Sequence, residues 1–192
     1  MVLEYILVAY AGVFLIYFNL LSDEYKKEVI SATMVATVIS VKVKKWTFKS
    51  LGFGLEKFWQ SLFWYACSVP VGIGVLYVYA TYYQTSWGAS QSTLIQYSVG
   101  VVIIQELLFR GFLWKLGIQI FGNGTINILV NTIVFASMHV VYPNFWDQYL
   151  WLLLTCAGAL FATLYHLYPK MYLIIPVHII LNATAVHVGI FH

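Results

Sequence analysis

Charge is what this sequence has least of. Acidic and basic residues make up 9% of its 192 residues, against roughly 25% in an average soluble domain. So few ions cannot cover a water-facing surface, and with 61% hydrophobic residues the composition is that of one membrane domain. The net charge is only +3. Its lysines lie beside apolar segments and form no basic face, which excludes nucleic acid as a partner. Cysteine is scarce as well. Cys67 and Cys156 stand in apolar runs with neither CxxC nor zinc-ligand spacing, so no disulfide or thiolate metal site is expected, and both read as buried, inert thiols. No repeat of 20 to 50 residues, low-complexity tract or disordered linker is present. A cleavable leader is not indicated either, because Glu4 sits near the start and no A-x-A site follows, so the first apolar run is expected to be retained.

What the chain does have is long apolar runs and aromatic residues along its whole length, as suits belts at a membrane interface. A spanning helix needs about 20 mostly apolar residues. Stretches of this kind lie near Val2–Leu21, Val29–Val43, Gln60–Tyr83, Leu94–Trp114, Ile126–Val141, Gln148–Tyr168 and Met171–Phe191. The expected fold is therefore all-α, a polytopic transmembrane helical bundle of about seven spans, six to eight given that the second is short. Residues 1–92 form the N-terminal helices, with an interfacial segment at 46–60 that mixes aromatics, glycines, Lys49 and Lys57, and residues 93–192 form a second unit. Lys42, Lys44, Lys45, Lys49 and Lys57, then Lys115, then Lys170 fall in alternate loops. The opposite loops hold Asp23, Glu24, Glu28 and Asp147, relieved only by Lys26 and Lys27. This places the N-terminus inside and the C-terminus outside.

Three polar sets interrupt the last hundred residues. QELLFR places Glu106 and Arg110 four apart, FASMH does so for Phe135 and His139, and HIILN for His178 and Asn182. Residues four apart share one helical face. An ionisable side chain at the bilayer centre costs about 2.5–3.5 kcal/mol, so these faces must meet protein or water. A structural ion pair would account for Glu106 and Arg110 alone; three such sets on three helices point to convergence on one polar cavity. Glu106 and His178 come out about 10–14 Å from the inner face, and His139 one to two turns farther. Pro176 removes a donor to the Tyr172 carbonyl, which predicts a kink or opening where that polar pair begins. His166, His187 and His192 read as interfacial. The Asn-x-Thr pattern at Asn182 falls inside a span and that at Asn123 on the inner side, so neither is an acceptor for glycan.

The ordered trio resembles the three motifs of the CAAX protease and bacteriocin-processing family of intramembrane endopeptidases: EExxxR, then FxxxH, then HxxxN or HxxxD. The likeness covers roughly Thr93 to Val188, and the KSLGF stretch ahead of the third span is also similar. What the resemblance implies is metal-independent, glutamate-dependent hydrolysis of a peptide bond at the membrane, with no cofactor. The first Glu, the water-activating base, falls at Gln105. His139 would orient the water, His178 and Asn182 would donate to the oxyanion, and Glu106 with Arg110 would hold the site together. Substrates in prospect are a prenylated CAAX-type peptide or a bacteriocin or signal-peptide precursor, met in membrane lipid.

The neutral amide of Gln105 cannot take a proton from water, although its oxygen can position one. Loss of general-base help is worth about 10²–10⁴ in rate. Glu106 is rotated by about 100° from position 105 on an α-helix, and pairing with Arg110 makes it a poorer base. The sequence therefore leaves two readings: a peptidase silenced at Gln105, or a membrane protein of the same fold that binds a peptide without cleaving it. A zinc site from His139, His178 and Glu106 ranks lower, because there is no HExxH and Asn182 is a poor ligand. An ion- or proton-coupled transporter is the remaining class, since ionisable residues within spans also mark ion paths.

Overall fold

The computed structural model describes residues 39, 42–83, 85, 99, 101–141 and 147–190. Regular structure among them is helical throughout. Helix α1 is Phe58–Tyr83. Helix α2, Val101–Glu106, passes without a break through a π-helical turn, Leu107–Leu113, into α3, Trp114–Phe121. Helix α4, Gly124–Ser137, ends in a 3-10 turn, Met138–Val141. Helices α5, Gln148–Leu167, and α6, Met171–His187, complete the described chain.

Helices α1 and α5 are long and apolar enough to cross a membrane, and α4 and α6 are shorter apolar helices. Four of the expected spans coincide with α1, α4, α5 and α6 to within a few residues at each end. Val2–Leu21, almost all of Val29–Val43, the acidic loop between them, most of Thr85–Gln91 and the start of the Leu94 span lie outside the described residues. Large apolar side chains face outward along α1, among them Trp59, Phe63, Val71, Val75 and Val78. A helix that is apolar on its outer as well as its inner face suits lipid as the solvent. Cys67 and Cys156 lie on such outward faces and are exposed, which corrects the expectation of buried thiols. An apolar run gives no inside or outside when the surroundings are themselves apolar.

Local chemistry sets the helix ends. Asn123 Oδ1 accepts from the N–H groups of Thr125 (2.8 Å) and Ile126 (3.3 Å), so the first residue of one glycosylation-like pattern is a helix cap. Asp147 Oδ1 caps α5 in the same way through Tyr149 and Leu150, both at 2.9 Å. The rod α2–α3 departs from expectation. It was expected to end at Trp114, with Lys115 in the inner loop, yet it runs on to Phe121. The Lys115 ammonium comes 5.3 Å from the Trp46 ring centroid. A lysine that snorkels in this way need not end a helix. Helix α6 continues through the exposed Pro176 to His187.

Residues 46–57 are fastened to the start of α6. The Met171 N–H donates to the Gly52 carbonyl at 2.8 Å, satisfying one of the amides that a helix N-terminus leaves open. Buried Lys170 donates from Nζ to the Gly54 carbonyl at 2.7 Å, and the Tyr172 hydroxyl donates to the same oxygen at 3.2 Å. Tyr65 on α1 donates to the Tyr168 carbonyl at 3.0 Å. Gly52 has φ of 88°, and an added Cβ would stand 2.8 Å from the Tyr165 hydroxyl and 2.9 Å from the Pro169 carbonyl. Gly52→Ala is therefore expected to destabilise the protein by about 1–3 kcal/mol. Thermal unfolding in detergent will read this as a lowered midpoint, and an unchanged midpoint would refute it.

Candidate active site

The rod packs against α6, α1 packs against α6, and α4 lies along α5. Gly158 on α5 makes the last pairing close, since a Cβ there would come 3.1 Å from the Phe135 ring. These contacts bring Glu106, Arg110, Phe135, Phe161 and His178 to one place.

Glu106 ends α2, Arg110 lies in the π-helical turn and His178 is on α6. Their exposures are 0%, 1% and 6%. Glu106 Oε1 accepts from Arg110 Nη1 at 3.0 Å and from His178 Nδ1 at 2.6 Å. One carboxylate oxygen thus joins two helices. A carboxylate accepts, so His178 carries its proton on Nδ1, and Nε2 is the nitrogen left for other chemistry. Glu106 Oε2 and Arg110 Nε are buried and make no hydrogen bond among the described residues. The Arg110 guanidinium also lies 5.5, 5.1 and 5.4 Å from the ring centroids of Phe109, Phe135 and Phe161. Three ring faces around a desolvated guanidinium supply cation–π attraction where water is excluded.

The π-helical turn matters for this geometry. Six consecutive residues, Leu108 to Leu113, are buried, so the rod is enclosed on every side at this level. Bonding from i to i+5 makes a wider and rarer turn than the α-helix, frequently found at functional sites.

His139 stands in the 3-10 turn after α4, with Nδ1 donating to the Phe135 carbonyl at 2.8 Å. A carbonyl accepts, so this bond puts a proton on Nδ1 of His139 and leaves Nε2 pointing away from the Phe135 carbonyl. The Phe135 ring centroid is 4.9 Å from His139 and 5.9 Å from His178, so one aromatic ring touches both imidazoles. Glu106 and His178, counted to similar depth from the sequence, are in direct contact, and His139 lies one ring away. Gln105 is half-buried beside Glu106, and Asn182 is half-buried one turn beyond His178.

Sequence reasoning missed Phe161. Its ring packs 4.7 Å from His178, and no signal marks it among the other apolar residues of its span. It also missed Asn127 and Asn131, which were open to the rule applied elsewhere, being polar, four apart and inside an apolar run. Asn127 donates to the Trp114 carbonyl at 3.0 Å, and Asn131 donates to both Asn127 oxygens at 3.0 Å, clamping the rod to α4.

A sequence model of the type II CAAX prenyl endopeptidase family, Rce1-like, matches residues 87–184. No curated protein and no solved structure matches the chain. The matched stretch is just over half of the 192 residues and holds every candidate site residue from Gln105 to Asn182. With its apolar helices and outward-facing hydrophobic side chains, this is a membrane protein. The buried Glu106–Arg110–His178 cluster falls inside the matched region, and the chain belongs to the Rce1-like family of type II CAAX prenyl endopeptidases, a family of intramembrane proteases.

Proposed function

We propose that this chain is built to hydrolyse a peptide bond in a membrane-associated peptide or protein, and that Gln105 silences the form written here. Its frame is a bundle of about seven spans with the N-terminus inside. His139 orients the attacking water, Gln105 occupies the place of the base, and His178 with Asn182 donates to the developing oxyanion. Glu106 and Arg110 position His178.

The observation that carries this reading is the single Glu106 oxygen shared by Arg110 and His178. A carboxylate 2.6 Å from Nδ1 fixes the imidazole plane and turns Nε2 away from Glu106. When the ring carries a second proton, on Nε2, that N–H is a donor held in place before charge develops, as oxyanion stabilisation requires. The negative charge that appears on the substrate carbonyl then meets a preset dipole, with no reorganisation to wait for.

A second reading is favoured by Gln105 itself: an amide that positions water but cannot deprotonate it suits a protein that holds a peptide without cleaving it. The test uses Gln105→Glu protein in liposomes with a panel of prenylated and leader-type membrane peptides. Appearance of products, and their loss when His178→Ala is added, supports the peptidase. Saturable peptide binding with no products from either form would establish the binding module instead.

A further inference from the structure

Outside the catalytic cluster, the described residues form a cavity of about 300 Å³. This is at the lower end of the range for small-molecule sites, about 300–1,000 Å³. Trp46, Ser50, Trp114, Lys115, Tyr165 and Pro169 contribute to its wall, and no acidic side chain lines it. Trp114 is one turn beyond Arg110 on the rod, and Tyr165 is one turn beyond Phe161 on α5. The cavity therefore lies about 6 Å along the helices from the cluster, toward the end where Lys115 and Lys170 stand.

Its polar lining is Lys115, a donor only, with Tyr165, Ser50 and Gln119, which can donate or accept. Lys115 is half-buried, and no carboxylate among the described residues pairs with it; its ammonium rests near the Trp46 ring. Tyr165 is 2% exposed, yet its hydroxyl makes no hydrogen bond among the described residues. A hydroxyl at the cavity wall and a half-buried ammonium that find no acceptor among the described residues can both serve an acceptor brought from outside. The Trp46 indole beside the cation and the Trp114 ring in the same lining give walls of the kind found at headgroup depth, where one end of a side chain is apolar and the other wet.

We propose that this cavity binds the phosphate group of an anionic membrane lipid, with Lys115 as the countercharge and Tyr165 as a hydrogen-bond donor. Basic pockets between helices on the cytoplasmic side are where such headgroups bind. The inference uses the inner-side orientation proposed above but none of the peptidase chemistry, so it stands or falls by binding alone.

The test is direct titration of the purified full chain, in zwitterionic detergent, with short-chain phosphatidylglycerol, phosphatidylcholine of the same chain length, and inorganic phosphate. Bound ligand is counted by native mass spectrometry. Phosphatidylglycerol is expected to bind in preference to the other two. Lys115→Gln and Tyr165→Phe should each weaken it by about tenfold, the scale of one hydrogen bond to a charged group. Lys115→Arg should stay within about threefold of the parent, because the charge remains. The melting midpoint of Tyr165→Phe serves as the folding control. Equal retention of the two lipids would overturn the proposal, as would unchanged binding in Lys115→Gln. So would inorganic phosphate binding as well as the lipid. Displacement of the lipid by a peptide with a free C-terminus, but not by its amide, would reassign the cavity to a substrate carboxylate.

Discussion

Gln105→Glu is expected to raise peptide-cleavage turnover by about 10²–10⁴, the usual worth of a general base. The gain should appear in kcat with KM little changed, because a base acts on the proton lost in the transition state and adds little to ground-state binding. The two histidines of the proposed site are already held by the protein. His178 is held by Glu106 at 2.6 Å, and His139 is held by the Phe135 carbonyl at 2.8 Å. Glutamate differs from glutamine by one terminal group, so the substitution changes proton affinity with almost no change in volume. Turnover by single-cycle kinetics on a membrane peptide will check it. A gain below about tenfold would show that position 105 is not where the water loses its proton.

The second large effect concerns the ion pair. Removing one partner of a buried pair typically costs about 3–5 kcal/mol, because the other charge stays behind without water. Arg110→Met and Glu106→Leu should each cost that much, measured by unfolding in detergent micelles. The double replacement should cost far less than the sum, since a buried pair exchanged for apolar residues of similar volume is often neutral. Additive losses would mean that the 3.0 Å contact between Glu106 and Arg110 carries no coupling. The same double variant should also lose the hold on His178. In a Gln105→Glu background it is therefore expected to be stable and inactive, which separates the structural work of the pair from its positioning work.

Much of this could be read from the chain because a membrane removes choices. Helices α5 and α6 begin where the sequence places them, at Gln148 and Met171, since Asp147 and Lys170 mark the change from loop to apolar run. The meeting of Glu106 with His178 was also foreseeable, because neither can face lipid and both count to the same depth. The rod's extension to Phe121 was not. It depends on the Lys115 stem reaching Trp46, a contact between residues 69 positions apart. Phe161 was hidden for a similar reason. Its use is set by which face α5 turns toward Arg110, and Gly158 together with the packing on α4 determines that face. Nor does any sequence pattern mark the π-helical turn, which falls where six residues in a row are buried.

The latch between Gly52 and Met171 has a bearing on biosynthesis. Its two halves are separated by more than a hundred residues, as are those of the Tyr65 bond to Tyr168. A ribosome makes the first half long before the second, so the loop must wait, undocked, until the final helix has left the exit tunnel. Proteolytic nicking near Gly52 during synthesis should consequently fade only once the C-terminal segment has been inserted.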